Sequence, residues 1–107
     1  MDELLDVKDY LHITWDEENE SVKKLISEAK QYLSKKVGTG INFEKDLVAY
    51  GLLKDYCRYV RNYSKEYFEK NFLNEIQSLQ LKYAIDENEV KKSQLKYAVI
   101  EGDSSER

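Results

Sequence analysis

No proline interrupts the 107-residue chain, and it holds only four glycines, at Gly38, Gly40, Gly51 and Gly102. A chain so poor in both residues lacks the turn chemistry of a β-rich fold and favours helices. The single cysteine, Cys57, excludes an internal disulfide and fits a reducing compartment. It falls inside an apolar pattern of helical period, the setting of a packed thiol rather than a reactive one. One histidine, His12, beside one cysteine argues against a zinc site of ordinary ligand set. No apolar run approaches the roughly 20 residues needed to cross a bilayer, and the acidic start MDELLDVKD lacks the regions of a signal peptide. A phosphate-cradling glycine loop, a nucleophile elbow and a metalloprotease helix are also missing. The acidic run Asp16–Glu20 lacks the glycine and ligand spacing of a calcium loop and reads as a solvated helix start. The sequence therefore offers no catalytic residue, no cofactor site and no metal site, and is expected not to be an enzyme.

What the chain has in abundance is charge and tyrosine. Charged residues make up 36% of it, with a formal net charge of -4, so the whole surface has no pull toward nucleic acid or anionic membrane. Five of the nine tyrosines lie between Tyr50 and Tyr67, more than a small core can fully bury. Tyrosine, apolar in body and polar at its tip, is enriched at protein interfaces.

The periodicity predicts an all-α fold, a compact bundle of about four helices with an extended or strand-like C-terminal arm. Leu4, Val7, Tyr10 and Leu11 mark a short first helix over 4–13, too short to persist unless docked. A second helix, about Asp16 to Val37, carries the stripe Val22, Leu25, Ile26, Ala29, Tyr32 and Leu33. Thr14 with Glu17 has capping-box spacing, with Asp16 as an alternative N-cap. Lys35 and Lys36 suit its last turn, and Gly38 suits a left-handed C-cap. Ile41 and Phe43 are expected to anchor the following loop to the core. The third helix, about Glu44 to Arg61, presents Ala49, Leu53, Tyr56 and Val60. Its Gly51 costs about 1 kcal/mol relative to alanine and is expected to permit close approach of a neighbouring helix. After a break at 62–64, Phe68, Phe72, Ile76 and Leu79 define a fourth helix through about Lys82. The pentapeptide QLKYA occurs at 80–84 and again at 94–98. The first copy is read as helix and the second as arm, and EGDSSER as a disordered tail. The domains are thus 1–83, the helical body, and 84–107, arm and tail.

Lys54, Arg58, Arg61 and Lys65 recur at i, i+4, i+7 and i+11, one basic stripe along the third helix and the loop after it. Such a stripe suits phosphate or an acidic protein surface; the plainer reading is a solvated face balanced by Asp55 and Glu66.

Taken in order, three pieces carry a resemblance. They are Val7-Lys8-x-Tyr10-Leu11-x-Ile13 with the acidic segment after it, Leu25-Ile26-x-x-Ala29-x-x-Tyr32, and the closing Ser78-Leu79-Gln80-Leu81-Lys82-Tyr83. Over Leu4 to Tyr83 the chain resembles the head–tail connector proteins of tailed bacteriophages and prophages, also called adaptor or head-completion proteins. The resemblance implies a compact helical subunit without enzymatic activity that forms a ring of about twelve copies. Its partners would be the portal protein above and a stopper or tail protein below, with DNA passing through the channel unread. The place of action would be the virion's head–tail junction, and the bacterial cytoplasm before assembly. Beyond Tyr83 the chain would reach the portal or a neighbouring subunit, which makes Tyr83 and Tyr97, with the basic stripe, the candidate interface or channel contacts. The doubled QLKYA departs from the family pattern. Two other readings stand beside it: a small helical nucleic-acid-binding regulator using the basic stripe, and a helical protein-interaction module unrelated to phage.

Overall fold

The computed structural model describes residues 2–85, and every one of these elements is helical. Helix α1 spans Glu3–Tyr10, α2 Asn19–Val37 and α3 Leu47–Arg61. A 3-10 turn over Lys65–Tyr67 leads into the single-turn α4, Phe68–Asn71, and α5 follows over 73–85. The all-α character is as expected and the first QLKYA copy is helical, but the single fourth helix expected from Phe68 to Lys82 is broken at Phe72 into α4 and α5. The second copy with Tyr97, the arm and the tail lie outside the described residues.

Side-chain pairs fix how the helices run. Glu18 at the start of α2 meets Arg61 at the end of α3, and Glu28 meets Tyr56, so α2 and α3 are antiparallel. Asp6 meets Tyr50 and Tyr10 meets Asp55, so α1 runs parallel to α3. Lys65 reaches Glu28 and Lys36 reaches Glu69, which lays the 3-10 turn and α4 along α2. The bundle therefore has a loop end, where α2 stops and α3 starts, and an opposite end, where α2 starts and α3 stops.

The apolar stripes account for the core. Val7, Val22, Ile26, Ala29, Leu33, Ala49, Leu53, Tyr56, Phe68, Ile76 and Leu79 are all buried. Phe43 is buried and Ile41 packs against the same cluster, the anchoring expected for that loop. Phe68 is the aromatic centre: Tyr32, Tyr56 and Tyr59 meet it edge-on at centroid distances of 5.8, 5.2 and 5.6 Å, and Phe72 stacks on it at 4.8 Å. These offset and edge-to-face arrangements are the ones aromatic quadrupoles prefer. Cys57 is completely buried, and burial pushes its thiol up to about 12, so it is a packing group.

Helix ends depart from the expected boundaries for identifiable reasons. Helix α1 stops at Tyr10 rather than Ile13. His12 takes φ 62°, while the Ile13 and His12 amides donate to the carbonyls of Lys8 and Asp9. That is a Schellman closure with a non-glycine residue in the left-handed position. Helix α3 starts at Leu47 rather than Glu44, where Asp46 caps it, and ends at Arg61 as expected, closing the same way as α1: Tyr63 has φ 58°, and Ser64 and Tyr63 donate to the carbonyls of Tyr59 and Val60. Helix α2 starts at Asn19 with no side-chain cap, so neither Thr14 nor Asp16 fills that role. The Asp16 carboxylate is held instead by Lys8, 2.8 Å away. Gly38 is the left-handed C-cap expected of it, at φ 89°. The reading of Gly51 is corrected: a Cβ there would meet nothing within 4 Å, because the position lies on the outward face of α3.

Candidate interaction surfaces

Lys54, Arg58, Arg61 and Lys65 share one side of the molecule, and each is engaged within the chain. The Lys54 ammonium sits 5.4 Å from the Tyr10 ring centroid and 5.2 Å from that of Tyr50. Arg58 pairs with Asp55 at 3.3 Å and lies 5.0 Å over the Tyr59 ring. Arg61 grips Glu18 through both terminal nitrogens, at 2.5 and 3.4 Å, and Lys65 reaches Glu28 at 3.2 Å. The balancing acids are Asp55, Glu18 and Glu28; Glu66 takes no part in these pairs. Hydrogen bonds from Arg61 and then Trp15 hold Glu18 below the usual carboxylate range. Burial, then the Glu28 hydrogen bond, pushes the Tyr56 phenol up, so it stays a donor. Arg61 thus ties the end of α3 to the start of α2, Lys65 ties the 3-10 turn to α2, and Lys54 lies between α3 and Tyr10 of α1. The paired carboxylates of Asp55, Glu18 and Glu28 offset the positive charge that a phosphate would meet at Arg58, Arg61 and Lys65.

Tyr83 serves inside the fold. Its hydroxyl donates to Asp46 Oδ2 at 2.7 Å, and Lys82 Nζ approaches the same oxygen at 3.2 Å. Asp46 is also the N-cap of α3, with Oδ1 accepting the Ala49 amide at 3.0 Å. One buried carboxylate thereby joins the start of α3 to the last turn of α5. Burial drives its carboxyl upward, but the donors from Tyr83, Ala49 and Lys82 together outweigh burial and leave it below the ordinary aspartate value. Three residues earlier, Gln80 Nε2 donates to the Lys36 carbonyl at 2.8 Å, satisfying an orphan acceptor at the end of α2. Sequence reading began the third helix near Glu44 and missed Asp46 as its N-cap, although the apolar run Leu47-Val48-Ala49 directly after it was a local signal. The bond between Asp46 and Tyr83 joins residues 37 apart and has no local signature.

Exposed apolar side chains stand at both ends of the bundle. At the loop end Leu47 and Val48 are 68% and 62% exposed, and Leu81 and Ile85 of the adjoining α5 are exposed too. At the opposite end stand Trp15 and Tyr63, the latter 92% exposed. Trp15 is held by its indole N–H on Glu18, at 2.7 Å. Tyr63 is the left-handed residue that closes α3, and its ring is left almost wholly exposed. Sequence reading reached the tyrosine surplus but neither end, because both are assembled from segments distant in the chain.

Among the described residues no cluster of three or more His, Cys, Asp or Glu is placed to hold a metal ion, and no helix is long and apolar enough to cross a membrane. Comparison with known proteins finds no matching family model, no matching curated protein and no matching solved structure.

Proposed function

We propose that this chain is a structural head–tail connector of a tailed phage or prophage. It forms a ring beneath the portal, extends the DNA channel and offers the platform to which stopper or tail proteins attach. Ring size, about twelve, and the identity of the partners rest on the resemblance over Leu4 to Tyr83. The observation that carries the reading is the pair of unlike apolar surfaces at opposite ends, Leu47 and Val48 at one and Trp15 and Tyr63 at the other. A cyclic ring is built from head-to-tail contacts, so each subunit needs two different, complementary surfaces. The basic stripe favours this over a nucleic-acid regulator, since its cations are already held by Asp55, Glu18, Glu28 and the tyrosine rings. A net charge of -4 suits a channel through which DNA slides without being held.

The test is native mass spectrometry of the purified chain mixed with the portal protein encoded beside it. A complex holding many copies per portal ring supports the reading. A chain that ignores the portal at high micromolar concentration contradicts it.

A further inference from the structure

Between the start of α2 and the end of α3 lies an open groove of about 660 Å³. Its floor is aliphatic: Val22 is buried, and Leu25 and Val60 pack against the core. Tyr63 stands at its lip. Most of the charge around it is engaged within the chain, Glu18 by Arg61 and Glu28 by Lys65. Lys24 is different. It lines the groove, it is exposed, and its side chain has no ion-pair or hydrogen-bond partner among the described residues.

The loop end offers the converse. Leu47 and Val48 project side by side from the first turn of α3, 68% and 62% exposed. Asp46 before them is buried in its bonds to Ala49, Lys82 and Tyr83. Glu44, one residue further back, is exposed, and its carboxylate has no partner among the described residues. Lys45 beside it is exposed too, and at the groove end Glu17 is an exposed acid.

We infer that the groove seats Leu47 and Val48 of a second copy of this chain, with that copy's Glu44 paired to Lys24. The inference rests on the ring reading and gives its contact a polarity and a register. A chain cannot fill its own groove, because Leu47 and Val60 stand thirteen residues apart on one rigid helix, about 20 Å. Nothing in the fold has to be displaced, since Lys24 and Glu44 have no internal partners to give up. Shape and charge together select a second copy turned head to tail: the concave aliphatic surface meets the convex one, and the cation meets the carboxylate. Two grooves face to face would leave both empty, and two knobs would touch only at their tips. Electrostatic complementarity of this kind fixes register and partner more than it adds affinity, and a head-to-tail contact is the one a cyclic ring requires.

The experiment is native mass spectrometry of the full chain with portal protein. It compares wild type, Lys24→Glu, Glu44→Lys, and an equimolar mixture of the two variants with one of them isotope-labelled. Both side chains are exposed and unpartnered, so circular dichroism should show unchanged folding in each variant. Either variant alone sets like charges together at every contact and should need at least tenfold more protein to assemble. In the mixture, alternating subunits restore opposite charges at every contact, so assembly should return with labelled and unlabelled chains in equal number. The inference is overturned if the wild type assembles and either variant assembles equally well. It is also overturned if the mixture stays as weak as its components, which would mean that the groove takes another partner. Those outcomes leave the ring reading standing, whereas a wild-type chain that never assembles on the portal overturns both.

Discussion

The carboxylate of Asp46 answers three donors from two parts of the chain, so it carries more of the stability than its single charge suggests. Asp46→Ala removes the N-cap and the anchor for Tyr83 and should lower unfolding free energy by about 2–3 kcal/mol in urea titrations. Asp46→Asn keeps a good cap and an acceptor for Tyr83, so the loss should be roughly half as large. The pH dependence follows from the lowered carboxyl. A depressed folded-state value means the unfolded chain binds the proton more readily, so this contribution is present above about pH 4 and is lost as pH falls through the folded value. In Asp46→Asn that part of the acid dependence should vanish, while the part due to Glu18 and Asp16, also held low, remains. Two glycines should behave oppositely. Gly51→Ala, with open space at the Cβ, should stabilise by roughly 0.5–1 kcal/mol. Gly38→Ala, at φ 89°, should destabilise by about 1 kcal/mol. Thermal denaturation of the two variants checks the pair of signs.

Among the elements, the segment from the 3-10 turn through α5 depends most on tertiary support. The single-turn α4 cannot stand alone, and Phe68 within it joins the rings of Tyr32, Tyr56, Tyr59 and Phe72. Phe68→Ala should cost about 3–5 kcal/mol and loosen this segment before α2 and α3, as hydrogen exchange would register. The same elements show what could be read in advance. The long stripe Val22 to Leu33 placed α2, and the Gly38 cap its end, because both are local signals. The start of α2 escaped, since the Asp16 carboxylate is taken by Lys8 across the turn and by the Asn19 side-chain amide at 3.5 Å rather than by a backbone amide of α2. The end of α1 escaped because His12 occupies a left-handed position where glycine is the usual cue, whereas the end of α3 at Arg61 was legible from the break at 62–64 although Tyr63 closes it in the same conformation. The basic stripe was visible as a pattern, but its partners Glu18 and Glu28 lie on another helix, 43 and 37 residues away. Sequence spacing along α3 carries no information about them.

For the whole molecule, the account holds that the two bundle ends are unlike surfaces that meet one another in a ring. Two variants separate them. Leu47→Ser/Val48→Ser alters only the loop end, at side chains more than 60% exposed, and should leave stability within about 0.5 kcal/mol of wild type. Trp15→Ala/Tyr63→Gly alters only the opposite end; its Tyr63→Gly half relieves left-handed strain and should stabilise by roughly 0.5–1 kcal/mol. Neither effect on assembly could then be ascribed to unfolding. The decisive measurement is mass photometry of the wild-type chain, each variant and their equimolar mixture, all with portal protein present. The account predicts multi-copy assemblies for the wild type, no ring growth for either variant alone, and 1:1 pairs when the variants are mixed, through the one intact interface they share. Normal rings from either variant alone, or a mixture as inert as its components, would contradict it.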